Sequence, residues 1–325
     1  MYLPTRSSFL ISRSSQHFHA DEPGLVPGRW LVSAAAVSLA VLIAMMAWEH
    51  LRIDPLAVAP MSFAGIAALL VTTAFVYRRP ANRMQRIARD ISEYFGLFTL
   101  IALIGATATY PLSAGSHGFV DPALQQVDAL LRFNWIAWYD VVAAHRSLQL
   151  LGTAAYQSIF VSPAILLGYF AWTGHRASAR GFIAAFWLAA VLSLSLFPFL
   201  PAEGPLAFLW RGPIPYMPES ALYQMSLIPE LRRHGISHVD LGALRGLVSA
   251  PSFHTASAIL YVAAAWPFRR LRWPLLGINV AMLLSTPVEG THYLTDMIAG
   301  ALVAVAALGI VAEIRFRLAA GEPAA

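Results

Sequence analysis

Residues 30–48 read WLVSAAAVSLAVLIAMMAW, a run from Trp30 to Trp48 without a charged residue. An uncharged run of about 18 or more residues can cross a hydrocarbon core of roughly 30 Å as a helix, with its backbone N–H and C=O groups bonded within the segment. Working outward, Pro55–Tyr77, Tyr94–Phe119, Ser147–Gly174 and Gly181–Ala202 are runs of the same kind. Three further apolar stretches lie in the C-terminal third, with His254 near the start of the first and His292 and Asp296 near the start of the last. The chain is 58% hydrophobic and only 12% charged, more apolar surface than a soluble domain of this size buries. The expected fold class is therefore all-α, a polytopic transmembrane helix bundle of about eight spans at 30–48, 58–77, 94–113, 151–173, 181–200, 251–268, 273–288 and 291–314.

Charge orients the bundle. Arg78, Arg79, Arg83, Arg86 and Arg89 crowd the link between the second and third spans, and the positive-inside rule puts that link in the cytoplasm. Alternating from there, the cytoplasmic segments are a tail at 1–29, Arg78–Ser92, His175–Arg180, Arg269–Arg272 and a tail at 315–325, which hold most of the 22 Arg. The first 29 residues are polar, with no apolar core or cleavage site of a signal peptide, so the first span is expected to be retained. Outside lie Leu51–Pro60, the region Asp121–Arg146, a long loop at Glu203–Ala250 and the turn before His292. Asp121–His145 reads as one amphipathic helix in the outer interface, with Trp135 and Trp138 in an aromatic belt. The expected location is a bacterial inner (plasma) membrane, crossed many times.

Several chemistries are excluded by composition. There is no Cys, hence no disulfide, thiolate metal site or cysteine nucleophile. All basic residues are Arg, so no lysine forms a Schiff base or binds phosphate. The formal net charge of +5 follows from membrane orientation and does not point to nucleic acid. No internal repeat supports an inverted-repeat transporter.

Two segments put ionisable groups where lipid-facing helices have none: Ala250-Pro251-Ser252-Phe253-His254-Thr255 and Glu289-Gly290-Thr291-His292-Tyr293-Leu294-Thr295-Asp296. An intramembrane charge costs at least about 2.5 kcal/mol, so such groups face a cavity and serve a function. His292 and Asp296 share one helical face, where the carboxylate can hold one imidazole nitrogen and leave the other as a nucleophile. His254 opens a span emerging on the same side.

These segments resemble the type 2 phosphatidic acid phosphatase superfamily. Its second signature is Pro-Ser-Gly-His, matched by Pro251, Ser252 and His254 with Phe253 in place of Gly. Its third is Ser-Arg, five residues, His, three residues, Asp, matched by Ser285, His292 and Asp296 with Thr286 in place of Arg. Phe253 and the run Phe197–Pro205 are similar to the branch that includes inositol phosphorylceramide synthase. The first signature, Lys with a following Arg-Pro, is absent. The resemblance covers 94–314, implying a six-helix catalytic core there, with 30–93 contributing two extra helices and a cytoplasmic loop.

What the resemblance implies is phosphoryl transfer on a lipid phosphate without a metal or cofactor. His292, oriented by Asp296, attacks phosphorus to form a phosphohistidine; His254 protonates the departing oxygen and then activates water or an acceptor hydroxyl. Ser252, Ser285, backbone N–H groups at the start of the sixth span, and outer-loop arginines replace the missing cations. Arg245 ranks first among these arginines, with Arg211, Arg232 and Arg233 behind it. A lipid-phosphate phosphatase is favoured slightly over a phosphotransferase. The rivals are a metal site built from His254, His292 and Asp296, completed by Glu289; plain helix-packing histidines; and a membrane transporter whose buried His and Asp bind cargo or protons.

Overall fold

A computed structural model describes residues 24–320. Of the two expected cytoplasmic tails, only 24–29 and 315–320 fall within the described residues. Among those residues the regular structure is helical, with an isolated bridge between Arg52 and His238. Helices α1 (Gly28–Trp48), α2 (Val58–Val76) and α3 (Arg83–Ala114) are followed by α4 (Asp121–Leu130), α5 (Trp135–Ala144), α6 (Arg146–Tyr156), α7 (Ser158–Thr173) and α8 (Arg176–Leu196). Two short helices, α9 (Pro205–Leu209) and α10 (Tyr223–Arg232), precede α11 (Phe253–Ala265), α12 (Arg269–Glu289) and α13 (Leu294–Ala320).

Six helices, α1, α2, α3, α8, α12 and α13, are long and apolar enough to cross a membrane. The pair α6–α7, bent by 41° at its junction, makes up to a seventh. The sixth expected span, 251–268, is α11, which has only 13 residues, about 20 Å of helix at 1.5 Å per residue. Several long apolar helices fit a multi-pass membrane protein.

Their shared core is built from Leu166 and Phe170 of α7, Ile183 of α8, Tyr261 of α11, Met282 of α12 and Ala304 of α13. Inside it the Asn279 amide donates to Ser162 Oγ (3.1 Å) and Leu275 O (2.8 Å), which satisfies a buried polar group. By contrast, α2 buries none of its residues.

The ends sort as the arginine distribution expects. Arg180 Nη1 donates to Val26 O (3.4 Å), Arg315 Nε to Gly24 O (3.3 Å), and His175 packs on Phe268 at 4.8 Å between ring centroids. The start of α1, the α7–α8 turn, the α11–α12 turn and the end of α13 thus share one end of the bundle.

Three expectations change. The Arg-rich link is helical from Arg83 onward, because Asn82 caps it by accepting Gln85 N–H (2.9 Å). The region Asp121–His145 is two helices, broken by Arg132 in the left-handed region (φ 59°) and restarted where Asn134 accepts Ala137 N–H (3.1 Å). It packs on the bundle with one face buried: Trp135 is 1% exposed, and its indole donates to Pro287 O (2.7 Å), so it does not belong to an interfacial belt. Lastly, the segment 203–250 contains α9 and α10, and Ile228 and Leu231 of α10 are buried among Leu42, Ile104 and Leu247.

Candidate active site

Ser252 opens α11 as its N-cap, its Oγ accepting Thr255 N–H (3.4 Å), and its own N–H donates to Asp296 O (2.9 Å). The second contact requires α13 to pass against the backbone of Ser252. Gly300 permits this, since a Cβ there would overlap the Ser252 carbonyl. The N–H groups of Phe253 and His254, in the first turn, find no acceptor among the described residues.

The turn from α12 to α13 presents the other half. Gly290 N–H bonds Thr286 O (3.0 Å), Thr291 N–H bonds Val288 O (3.1 Å) and His292 N–H bonds Pro287 O (3.1 Å), so the chain stays wound while it turns. Thr291 is held in the left-handed region (φ 49°), a conformation that costs a β-branched residue of order 1–3 kcal/mol. His292 Nδ1 then lies 3.2 Å from Asp296 Oδ2, which also accepts Tyr293 N–H (3.2 Å). Both side chains are buried. The i, i+4 pairing expected from spacing is therefore present.

The two histidines meet around a residue that spacing could not reveal. The Tyr156 ring stacks on His254 with centroids 3.9 Å apart and 14° between planes, and its OH is 3.2 Å from His254 Nδ1. Gly290 closes the other side: a Cβ there would stand 3.1 Å from Tyr156 Cε2 and 2.5 Å from His292 Cδ2. Each imidazole thus engages Nδ1 and leaves Nε2 without a partner among the described residues.

A strap, residues 216–221, lies over this group. Tyr216 OH donates to Glu289 Oε1 (2.7 Å), Glu219 N–H to Glu289 Oε2 (3.1 Å) and Ser220 N–H to Glu289 O (2.8 Å). Ser220 Oγ reaches Tyr156 OH (3.3 Å). Burial, reinforced by the Glu289 carboxylate, pushes the Tyr216 hydroxyl up to about 12, so it stays a proton donor at neutral pH. Outside the strap is a cavity of about 600 Å³, bordered by Arg146, Gln149, Thr153, Glu219 and Arg245. The Arg245 guanidinium sits 4.5 Å over the Tyr223 ring, and neither arginine forms an ion pair among the described residues.

The remaining expected residues lie elsewhere or are committed. Ser285 Oγ donates to Met282 O (2.8 Å), as does Thr286 Oγ1 (2.7 Å). Arg211 is exposed and donates to Trp210 O (3.1 Å). Arg232 donates to Ser116 Oγ (2.9 Å) and Gly118 O (2.7 Å), and Arg233 pairs with Glu230. Near the site, burial and then the Asp121 charge raise the Glu203 carboxyl above its usual range. Among the described residues no group of three or more His, Asp or Glu is arranged to hold a metal ion; the Glu289 oxygens are turned to the strap.

A model of the PAP2 superfamily matches residues 122–310, from α4 into α13, more than half of the chain. The chain belongs to the PAP2 superfamily, whose members are phosphatases or phosphotransferases. Comparison with curated proteins gives no match, and neither does comparison with solved structures.

Proposed function

We propose that the chain is an integral-membrane lipid-phosphate phosphatase working through a phosphohistidine, with its site on the outer, periplasmic side of a bacterial inner membrane. The observation that carries this reading is the pair of imidazoles around Tyr156, each with Nδ1 held and Nε2 unengaged. His292 Nε2 attacks phosphorus, the P–O bond to the lipid breaks, and His254 gives a proton from Nε2 to the departing oxygen. His254 then takes a proton from water as the water oxygen bonds phosphorus, and the P–N electron pair returns to His292. Asp296 supports the positive charge that His292 carries as the phosphohistidine.

Charge on the equatorial oxygens falls to the unpartnered N–H groups of Phe253 and His254, to the Ser252 hydroxyl, and to Arg245 with Arg146 from the cavity. Ser285, whose hydroxyl donates to Met282 O, and Arg211, which does not border the cavity, are left out of this set. The outward orientation is supported by the gathering of the Arg-rich segments at the far end of the bundle.

A specific observation favours a second reading. His292 is only 4% exposed, and a covered histidine suits an acceptor hydroxyl better than bulk water, as in a phosphotransferase. The test is purified protein in detergent with a panel of lipid phosphates and EDTA present. Released phosphate supports the phosphatase, and headgroup exchange without release supports the transferase. Loss of turnover on chelation with rescue by Zn²⁺ or Mg²⁺ would instead assign the chemistry to a metal.

A further inference from the structure

Two buried carboxylates outside the histidine group have no role in the chemistry above. Asp121 and Asp128, seven residues apart on α4, are 1% and 0% exposed, and no arginine or histidine pairs with either among the described residues. Asp121 Oδ2 accepts Glu203 N–H (2.9 Å), and its Oδ1 accepts Gly204 N–H (3.0 Å) and Tyr293 OH (3.0 Å). Asp128 Oδ2 accepts Leu294 N–H (2.9 Å), and its Oδ1 accepts Thr295 N–H (2.8 Å) and Thr295 Oγ1 (2.6 Å).

We propose that Asp121 and Asp128 are positioning residues for His292, α4 acting as a rigid bar that fixes the three residues following the histidine. The inference rests on the catalytic reading of His292 given above. A seven-residue separation puts both carboxylates on one face of α4, and that face meets Tyr293, Leu294 and Thr295 in sequence. Leu294 and Thr295 open α13, so Asp128 caps that helix from another element and complements its dipole. The cap and Asp296 occupy the N–H groups of Tyr293, Leu294 and Thr295 between them. Three N–H groups at the start of α13 are thereby taken, whereas those of Phe253 and His254 at the start of α11 are unoccupied among the described residues.

Buried anions held only by N–H and O–H groups are costly where packing is the sole need, because apolar side chains of similar size fill the same space. What the carboxylates add is direction: both Asp128 oxygens and Asp121 Oδ1 accept from residues 293–295, and these bonds form together only with the His292 turn in one place. Asp121 ties the same turn to the loop at Glu203 and Gly204.

The test compares Asp128→Asn and Tyr293→Phe with the wild-type full chain in detergent. Three readouts are taken: kcat and KM on a hydrolysed lipid phosphate, amide exchange at residues 293–295, and thermal unfolding. In Asp128→Asn, kcat should fall at least about tenfold with KM within about twofold, exchange at 294 and 295 should quicken, and Asp128→Glu should not restore the rate. Tyr293→Phe, which removes one hydroxyl and little volume, should lower kcat about threefold without shifting the unfolding temperature. Unchanged kcat in both variants would overturn the proposal, as would equal losses in kcat and unfolding temperature. If the wild type turns over no lipid phosphate, the functional reading fails instead. Exchange then decides: unchanged protection at 293–295 in Asp128→Asn overturns the bar.

Discussion

At the end of the bundle that gathers the Arg-rich segments, Asp90 is fully buried and meets Arg89 (2.6 Å), Arg86 (3.7 Å) and Arg176 (4.0 Å), while Glu93 meets Arg180 (2.5 Å) and Arg176 (3.7 Å). At the opposite end Asp121, Asp128, Glu289 and Asp296 are equally buried and meet no arginine among the described residues. Their oxygens accept backbone N–H, tyrosine and threonine O–H, and one imidazole. The two solutions suit different tasks. Ion pairs with long, partly exposed arginines tie helix ends together and tolerate small shifts. N–H and O–H groups fix direction and leave Arg146 and Arg245 free of carboxylate partners, able to receive an anion.

The comparison breaks most sharply at Asp296. Asp296→Asn keeps the shape but loses the charge that supports a positive His292, and kcat should drop at least about 10²-fold with folding retained. Activity within tenfold of wild type would remove Asp296 from the chemistry.

At the other end, Asp90→Asn should cost about 2 kcal/mol of stability, below the 3–5 kcal/mol of a fully buried broken pair because Arg86 and Arg89 reach solvent. Its kcat should stay within about twofold of wild type. Thermal unfolding alongside turnover checks both halves, and a kcat loss without a stability loss would contradict the division of labour.

Arg245→Gln removes an unpaired cation from the cavity wall and should raise KM about tenfold, the scale of one charge-assisted hydrogen bond, with kcat nearly kept. An unchanged KM would detach the cavity from the substrate.

The smallest effect on activity is expected from two probes of sidedness. Cysteines replacing Ser237 and Ala81, both exposed, should leave turnover unaltered in this chain without cysteine. Only the first should react with a membrane-impermeant thiol reagent in intact cells. The reverse pattern would invert the bundle.

Much of this was legible in sequence for identifiable reasons. Uncharged length marked α1, α2 and α8, apolar length marked α13 in spite of Asp296, and i, i+4 spacing set the bond between His292 and Asp296. Other features depend on contacts between distant segments. Tyr156 reaches His254 across 98 positions, and Tyr216 reaches Glu289 across 73, inside stretches that read as ordinary span and loop. The carboxylates of α4 looked like the solvated face of an interfacial helix; only the fold shows that this face is the buried one. The break between α4 and α5 left a local trace in Asn134, a good N-cap residue.

The central claim is the covalent step at His292. Protein incubated briefly with a lipid phosphate radiolabelled at phosphorus, then quenched in base, should retain label that acid removes, as a phosphohistidine does. His292→Ala should retain none while folding normally. Label that persists in His292→Ala, or wild-type turnover without any trapped label at substrate saturation and millisecond quench times, would contradict the account.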